Sequence, residues 1–347
     1  MTVTTEETPL LAALADARSL APAGITFRGW RDRTDFDRMV DVFHAARAVD
    51  GAGWELTAEL LEADIRGLGH RPEDTIVLAE AGDRVVGFVR VFDFGRAPDE
   101  GRQLMHSGHV DPAWRGRGIG TALLAAAHRE LLRIRAVHPD PAGTTAGFHC
   151  WVFDRNVSTH EFVIAQGYRS LRYVIEMARS LEDLPEIELP AGLTTRPATE
   201  ADRLPVVRAL DAAMHDHRGW PAMNDKMLLE FVNHPMRGQL DVWQVAWAGD
   251  RVVGGVLGFI DESENEARGR LRGWTESIFT VRDWRNRGVA SAMLARSLRY
   301  MRGRGMTEAA LTVDTDSPTN AVALYERHGF RETERLTIFR RDLDPAP

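Results

Sequence analysis

"WRGRGIGTALL", from Trp114 to Leu124, is the stretch on which the reading of this chain turns. A glycine-rich turn stands here between a strand-like run and a helix-like run. Such a turn converges several backbone N–H groups on one point, with the positive end of a helix behind them, and so attracts a phosphate or pyrophosphate. Its arginines add charge-assisted contacts. "WRNRGVASAML", from Trp284 to Leu294, repeats the pattern with Arg285 opposite Arg115. Neither copy ends in the glycine-lysine-serine or -threonine of a P-loop. The spacing of Gly116, Gly118 and Gly120, of which the second copy keeps only Gly288, is not that of a dinucleotide fingerprint either. The alternative left beside a phosphate site is an arginine-rich surface turn without a ligand.

Working outward, other landmarks recur in the same order. "AGDRVVG" is written twice upstream, at Ala81–Gly87 and Ala248–Gly254, each time as a turn between two apolar runs that reads as a hairpin. Downstream, "FVIAQGY" (Phe162–Tyr168) answers "LYERHGF" (Leu324–Phe330). Ordered recurrence of this kind marks an internal duplication. The expected organisation is an N-terminal arm over 1–22, a first domain over 23–181, a linker over 182–192 ("EDLPEIELPAG") and a second domain over 193–347. Within the second copy, Thr199 followed by Asp202 reads as the start of a helix, and "VASAMLARSLRYMRGRG" places apolar residues at helical spacing up to Gly305.

The composition bounds the function. The 347 residues are 44% apolar and 27% charged, which fits two globular cores. No apolar run approaches the roughly 20 residues of a membrane span, and the N-terminus lacks a signal peptide's basic start and long apolar stretch, so no membrane partner and a cytoplasmic location are expected. A net charge of −8 argues against nucleic acid as the partner. The single cysteine, Cys150, can form no internal disulfide and is expected in the core; no metal site is expected.

On Arg115, Gly118 and Gly120, and on Arg285, Gly288 and Ala290, the sequence resembles the GNAT superfamily of N-acetyltransferases, whose acetyl-CoA loop reads Arg/Gln-x-x-Gly-x-Gly/Ala. "NAVALYERHGF" is similar to the family's following helix, and the resemblance spans roughly residues 24 to 343. Tandem members from actinobacteria are similar in plan. The resemblance implies an α/β (α+β) fold of two tandem GNAT-like domains. Each would be a mixed, mostly antiparallel, twisted sheet flanked by helices, with two central strands splayed around the thioester of acetyl-CoA or another acyl-CoA. It also implies acyl transfer to a primary amine of a small molecule by direct attack. The cofactor contacts would come from Phe279, Thr280 and Val281, from Arg285, Arg287, Gly288, Val289, Ala290 and Ser291, and from Asn320. In the first copy they would come from Arg115, Arg117, Gly118, Ile119, Gly120 and Thr121.

The chemistry asks for a base, an acid and an oxyanion donor. An amine with a pKa of about 10.4 must lose a proton before it attacks, and the departing thiolate must gain one. The family places its acid at Tyr325, five residues after Asn320; the other reading of Tyr325 is simple ring packing. Glu276 is the base candidate, against pairing with an arginine such as Arg272, and a backbone N–H near Phe279 is a candidate donor to the thioester oxygen. In the first copy Val163 falls opposite Tyr325 and cannot donate a proton, so that domain is expected to be catalytically degenerate while retaining a CoA loop. His215, Asp216 and Trp220 are candidates for receiving a cationic acceptor. A non-catalytic acyl-CoA-binding or sensing protein, and a transferase fed by a carrier protein, stay open beside the acetyltransferase reading. The oligomeric state is not legible.

Overall fold

The computed structural model describes residues 10–51, 55–67, 70–317 and 319–343. By internal contacts the chain divides into two units, Met1–Leu171 with Ile338–Pro347 and Arg172–Thr337. Unit 1 runs α1 (Leu11–Ser19), β1 (Thr26–Gly29), α2 (Thr34–Asp50), α3 (Ala58–Gly67), the single turn α4 (Pro72–Thr75), β2 (Ile76–Ala81), β3 (Arg84–Ala97), β4 (Gly101–Val110), α5 (Ile119–Val137), β5 (Ala146–Phe153) and α6 (Val157–Ala165). Strands β1 to β4 form an antiparallel meander, and β5 joins β4 in parallel. Alternation along β2 sorts its side chains between two layers: Val77 and Ala79 face α5 and α1, whereas Ile76 and Leu78 face α2 and α3. The arm expected over 1–22 lies partly outside the described residues, at 1–9. Its remainder forms α1, whose Leu10, Ala13, Leu14 and Ala17 share one helical face and enter the core of this unit.

β6 (Arg169–Ser180) follows and runs into unit 2. The elements of unit 2 are β7 (Thr194–Thr195), α7 (Arg203–Met214), α8 (Asp225–Asn233), β8 (Gln244–Ala248), β9 (Arg251–Val256), α9 (Glu262–Arg268), β10 (Arg272–Trp274), β11 (Ile278–Thr280), α10 (Val289–Gly303), β12 (Glu308–Asp314), α11 (Ala321–Arg327) and β13 (Arg331–Leu343). The Thr199–Asp202 capping box opens the turn that leads into α7. Two sheets result, β11-β9-β8-β7 and β10-β12-β6 with the start of β13. Helices α7 and α8 cover the first through Val206, Leu210 and Leu228 against Trp243 and Val245, and α10 and α11 pack on the second through Leu294, Leu298 and Tyr325. Among the described residues no helix is long and apolar enough to cross a membrane.

The duplication read from the sequence recurs in backbone detail. Both copies of "AGDRVVG" close a two-residue hairpin with a left-handed glycine first, Gly82 at φ 60 and Gly249 at φ 60, as a turn that follows the strands' twist requires. Both hairpins also shift register at the equivalent place, Ala79/Glu80 and Ala246/Trp247. In each unit a parallel strand pair parts soon after it forms. β4 pairs with β5 only from Arg102–Ala146 to Met105–His149, and β10 with β12 only from Arg272–Glu308 to Trp274–Ala310.

The closing strands are distributed differently from the copies. In unit 2, β6 pairs with β12 from Val174–Asp314 to Ser180–Glu308. In unit 1 the place beside β5 is taken by the end of β13, from Ile338 onward. There Phe339 joins the core and sets its ring edge-on to His160 at 5.0 Å, and Arg340 lies against Gly147, where a Cβ would approach its Nε to 2.8 Å. Phe339→Ala is therefore expected to cost about 3–5 kcal/mol, and to do so in unit 1. Hydrogen exchange should show protection lost in β5 and retained in β12; loss confined to β12 would contradict this placement.

Candidate active site

The glycine-rich loops fold alike in both units. A single 3₁₀ turn, Pro112–Trp114 or Arg282–Trp284, delivers the chain to Arg115 or Arg285. Two left-handed residues follow, Gly116 (φ 72) and Gly118 (φ 89) in unit 1, Asn286 (φ 59) and Gly288 (φ 81) in unit 2. Asparagine is among the few side chains that tolerate this region, which explains why it can stand where the first copy has glycine. The turn ends at the first residue of α5 or α10, and neither N-cap glycine brings a side chain to the helix's first amides. The loop amides and the helix end are thus free to face an anion.

The expected cofactor residues sort by what they can offer. Phe279, Val281, Ile119 and Val289 are core side chains and can contribute only backbone. Val281 N–H donates to Val253 C=O at 3.0 Å, so alternation turns the Phe279 amide toward β9 as well. The amides of Ile278 and Thr280 face the other way, toward the gap, and Thr280 C=O accepts from Arg285 Nε at 3.3 Å. Arg115 and Arg285 are folded inward. The outer charges are Arg117 and Arg287, laid over Trp114 and Trp284 at 4.6 and 5.0 Å. Gly120 lies in the first turn of α5, where a Cβ would sit 3.6 Å from the Phe162 ring; Thr121 is exposed beside it. Ser291 Oγ lies 2.6 Å from His328 Nε2, Ala290 is half-buried in the first turn of α10, and Asn320 caps α11 with a left-handed φ of 51.

Between β10 and β11 the strand is broken. Thr275 N–H still donates to Ala310 C=O on β12 at 2.7 Å, but Leu257 N–H takes the carbonyl of Glu276, and Ser277 is forced to φ 47. The break aims the Glu276 side chain across the gap, where its Oε1 accepts from Thr312 N–H at 2.8 Å and Thr312 Oγ1 at 3.1 Å. Burial pushes the carboxyl up to about 7, against the lowering effect of these bonds and of Arg237; Glu176 adds to the rise. Arg272 is not its partner, being held by Glu308 at 2.6 Å and Glu176 at 2.7 Å. Tyr325 borders the same gap from α11, with its ring packed edge-on to Phe330 at 6.2 Å. Its hydroxyl makes no hydrogen bond among the described residues, and burial together with the charge of Glu276 raises its pKa, so it stays a phenol. A carboxyl that titrates at neutrality thus stands beside an unpartnered proton donor.

Unit 1 fills the equivalent gap differently. His106 stands in register with Glu276, on an unbroken β4, and its Nε2 lies 2.7 Å from the Tyr168 hydroxyl; His128 Nε2 reaches the same oxygen at 2.7 Å. One imidazole donates to the phenol and the other accepts from it. Burial holds His106 at about 4 and His128 at about 3, and pushes Cys150 up to about 12. All four groups are uncharged at neutral pH. Val163, opposite Tyr325, is a core side chain.

The segment expected to receive a cation is already engaged. His215 Nδ1 lies 2.7 Å from Asp211 C=O, and Trp220 Nε1 donates to Asp211 Oδ1 at 2.9 Å. The carboxylate of Asp216 is taken up by Arg285 and Arg282, at 2.6 and 2.8 Å. Thr312 and Asp50 were invisible in the sequence, where no motif marks them, and Asp216 was singled out there for a different partner.

In unit 2 a glycine-rich loop thus opens α10 beside strands that part around Glu276 and Tyr325. Residues 210–330 match the acetyltransferase (GNAT) family, and residues 72–170 match an acetyltransferase (GNAT) domain. The mycothiol acetyltransferase of Nocardiopsis dassonvillei is 27% identical over 91% of this chain and 96% of its own length; that of Salinispora arenicola is 27% identical over 86% and 92%. The crystal structure of a GCN5-related N-acetyltransferase from Sphaerobacter thermophilus superposes with a TM-score of 0.73 at 25% identity, covering 94% of this chain and 98% of that one. A tandem GNAT protein of the clavulanic acid biosynthesis pathway shares the fold, with a TM-score of 0.65 at 15% identity over 93% of this chain and all of its own. The chain belongs to the GNAT superfamily of N-acetyltransferases and carries two of its domains in tandem.

The two Thr312 bonds to Glu276 favour its ionised form, so removing one must raise its pKa further. In Thr312→Val the backbone bond remains and the hydroxyl is lost. Carboxyl-labelled glutamate followed by NMR should show one group titrating near 7 in the wild type and at higher pH in the variant; an unmoved titration would contradict this account.

Proposed function

We propose that this chain transfers an acyl group from acyl-CoA to the primary amine of a small molecule by direct attack in a ternary complex, and that the reaction takes place in the gap of unit 2. The observation that carries this reading is the pairing of Glu276, which burial pushes up to about 7, with the unpartnered Tyr325 phenol in one gap. The loop residues fit a CoA pyrophosphate, since two left-handed residues and an uncapped helix end turn several amides one way. A bound acyl thioester supplies the activated carbonyl and a thiol leaving group.

The residues of the chain divide the remaining work. Above pH 7 Glu276 is mostly ionised and can accept the proton of an incoming ammonium group, whose pKa of about 10.4 otherwise leaves almost no free amine. The Ile278 N–H, turned toward the gap, donates to an oxygen that gains charge during attack. Tyr325 delivers its proton to the departing sulfur. In unit 1 the groups standing at the corresponding places, His106, His128, Tyr168 and Cys150, are uncharged at neutral pH, which supports a single active site. The first acceptor to test is the one named by the relatives, the amine acetylated by a mycothiol acetyltransferase.

Tyr325→Phe should lower kcat about 100-fold or more while the Kd for acetyl-CoA stays near that of the wild type. In Glu276→Gln the rise of kcat/KM with pH through about 7 should disappear. Steady-state kinetics from pH 5.5 to 9.5, with calorimetric titration of acetyl-CoA, measure both. A wild-type rate in Tyr325→Phe, or an intact alkaline rise in Glu276→Gln, would remove the corresponding role.

A further inference from the structure

The first arginine of each glycine-rich loop does not point where an anion would lie. In unit 2 the Arg285 guanidinium is spent on three neighbours: Nε donates to Thr280 C=O at 3.3 Å, Nη2 to Ala213 C=O at 2.8 Å, and Nη1 to Asp216 Oδ2 at 2.6 Å. The other oxygen of Asp216 accepts from Arg282 at 2.8 Å, in the 3₁₀ turn that leads into the loop. One carboxylate, just past the end of α7, therefore ties the entry to the loop to the loop itself.

Unit 1 reaches the same arrangement with different letters. Arg115 Nε donates to Val110 C=O at 3.2 Å, and its two Nη atoms grip both oxygens of Asp50, the last residue of α2, at 2.7 and 2.8 Å. Asp50 also accepts from Asn156 Nδ2 at 3.0 Å. "ARAVDG" and "AAMHDH" share no motif, yet an aspartate from the end of the corresponding helix meets the corresponding arginine in both copies.

Electrostatics alone argues against such an acid. A carboxylate beside a loop that binds a polyanion repels the ligand and neutralises the nearest arginine. Its presence in both copies calls for a benefit that outweighs the charge, and the geometry supplies one: with the guanidinium held inward, the loop backbone, not a mobile side chain, faces the ligand. Preorganised amides lose less on binding than a long side chain that must first be ordered.

We propose that Asp216 is a positioning residue for the acyl donor, and Asp50 its counterpart in unit 1: each locks the loop arginine inward and so fixes the amides that receive the phosphates. The proposal rests on the reading that the Arg285–Ala290 loop holds the donor. It makes the sign of one experiment opposite to the electrostatic expectation. Removing a negative charge beside a polyanion site should tighten binding; removing a lock should weaken it.

The test is calorimetric titration of CoA and steady-state kinetics on the full chain, with native mass spectrometry to count bound molecules. Gly288→Ala, which places a side chain on a left-handed residue with open space around it, identifies the unit 2 site by the binding event it weakens. Asp216→Asn should raise the Kd at that site about tenfold, and raise KM for the acyl donor far more than it changes KM for the amine; Asp216→Glu should recover part of the loss. Asp216→Asn combined with Arg285→Met should be no worse than the poorer single variant, because the two act as one device. Unchanged or tighter CoA binding in Asp216→Asn, with Gly288→Ala still weakened, overturns the positioning role and leaves the loop as the donor site. Unaltered binding in Gly288→Ala overturns the donor-loop reading itself. Asp216 is partly exposed, and thermal melts of each variant separate lost binding from lost folding.

Discussion

The chemistry available to unit 2 depends on one change of partner. Between Arg272 and Thr280 the chain leaves β12 and continues on β9 alone, and the handover is made at Thr275, Glu276 and Ser277. A non-glycine residue at φ 47 is a strained choice that persists only where its surroundings enforce it. Here the hydrogen bonds of Thr275 to Ala310 and of Leu257 to Glu276 hold it from both sides. The strain opens the gap, turns the Ile278 amide into it and carries Glu276 off the sheet. Desolvation of that carboxylate follows from the same break, so its titration near neutrality is a property of the backbone path as much as of the residue.

Comparison of the two units shows how little of the fold the chemistry requires. Hairpins, register shifts, loops and parting strands are common to both, and the exposure pattern from residue 111 to 120 matches that from 281 to 290 at every position but Pro112 and Arg282. What differs is the filling. Unit 2 places Glu276, Phe330 and Leu298 where unit 1 places His106, Tyr168 and His128. The first set leaves a carboxyl that makes no ion pair among the described residues; the second closes on itself, since each polar atom that meets the Tyr168 oxygen is paired by it. A satisfied polar cluster rigidifies a core and has nothing to offer a substrate. On this physical difference rests the assignment of the reaction to unit 2.

Legibility in the sequence followed the range of the interactions. The hairpins depend on Gly82 and Gly249, and the loops on Gly116, Gly118, Asn286 and Gly288, all acting within a few positions of themselves; they were readable. The helix bearing Tyr325 was readable for the same reason. Thr312 meets Glu276 across 36 positions and Asp216 meets Arg285 across 69, so neither pairing exists until the strands and helices have been placed. Asp216 was read as a receptor for a cation because its neighbours in sequence are histidines and a tryptophan, whereas its neighbours in space are arginines. The exchange of closing strands was invisible, because β6 and β13 each follow their own helix as a simple repeat would have them do.

That exchange bears on the order in which the molecule can be made. Unit 1 contains the earlier-synthesised residues, and a domain generally folds as its chain emerges. Yet the open side of β5 waits for Ile338 and Phe339, which are translated only after all of unit 2. Until then the first-made sheet carries a bare strand edge and an unfilled core. Unit 1 is therefore completed only at the end of synthesis, and a gene cut after residue 171 would encode it without its last strand.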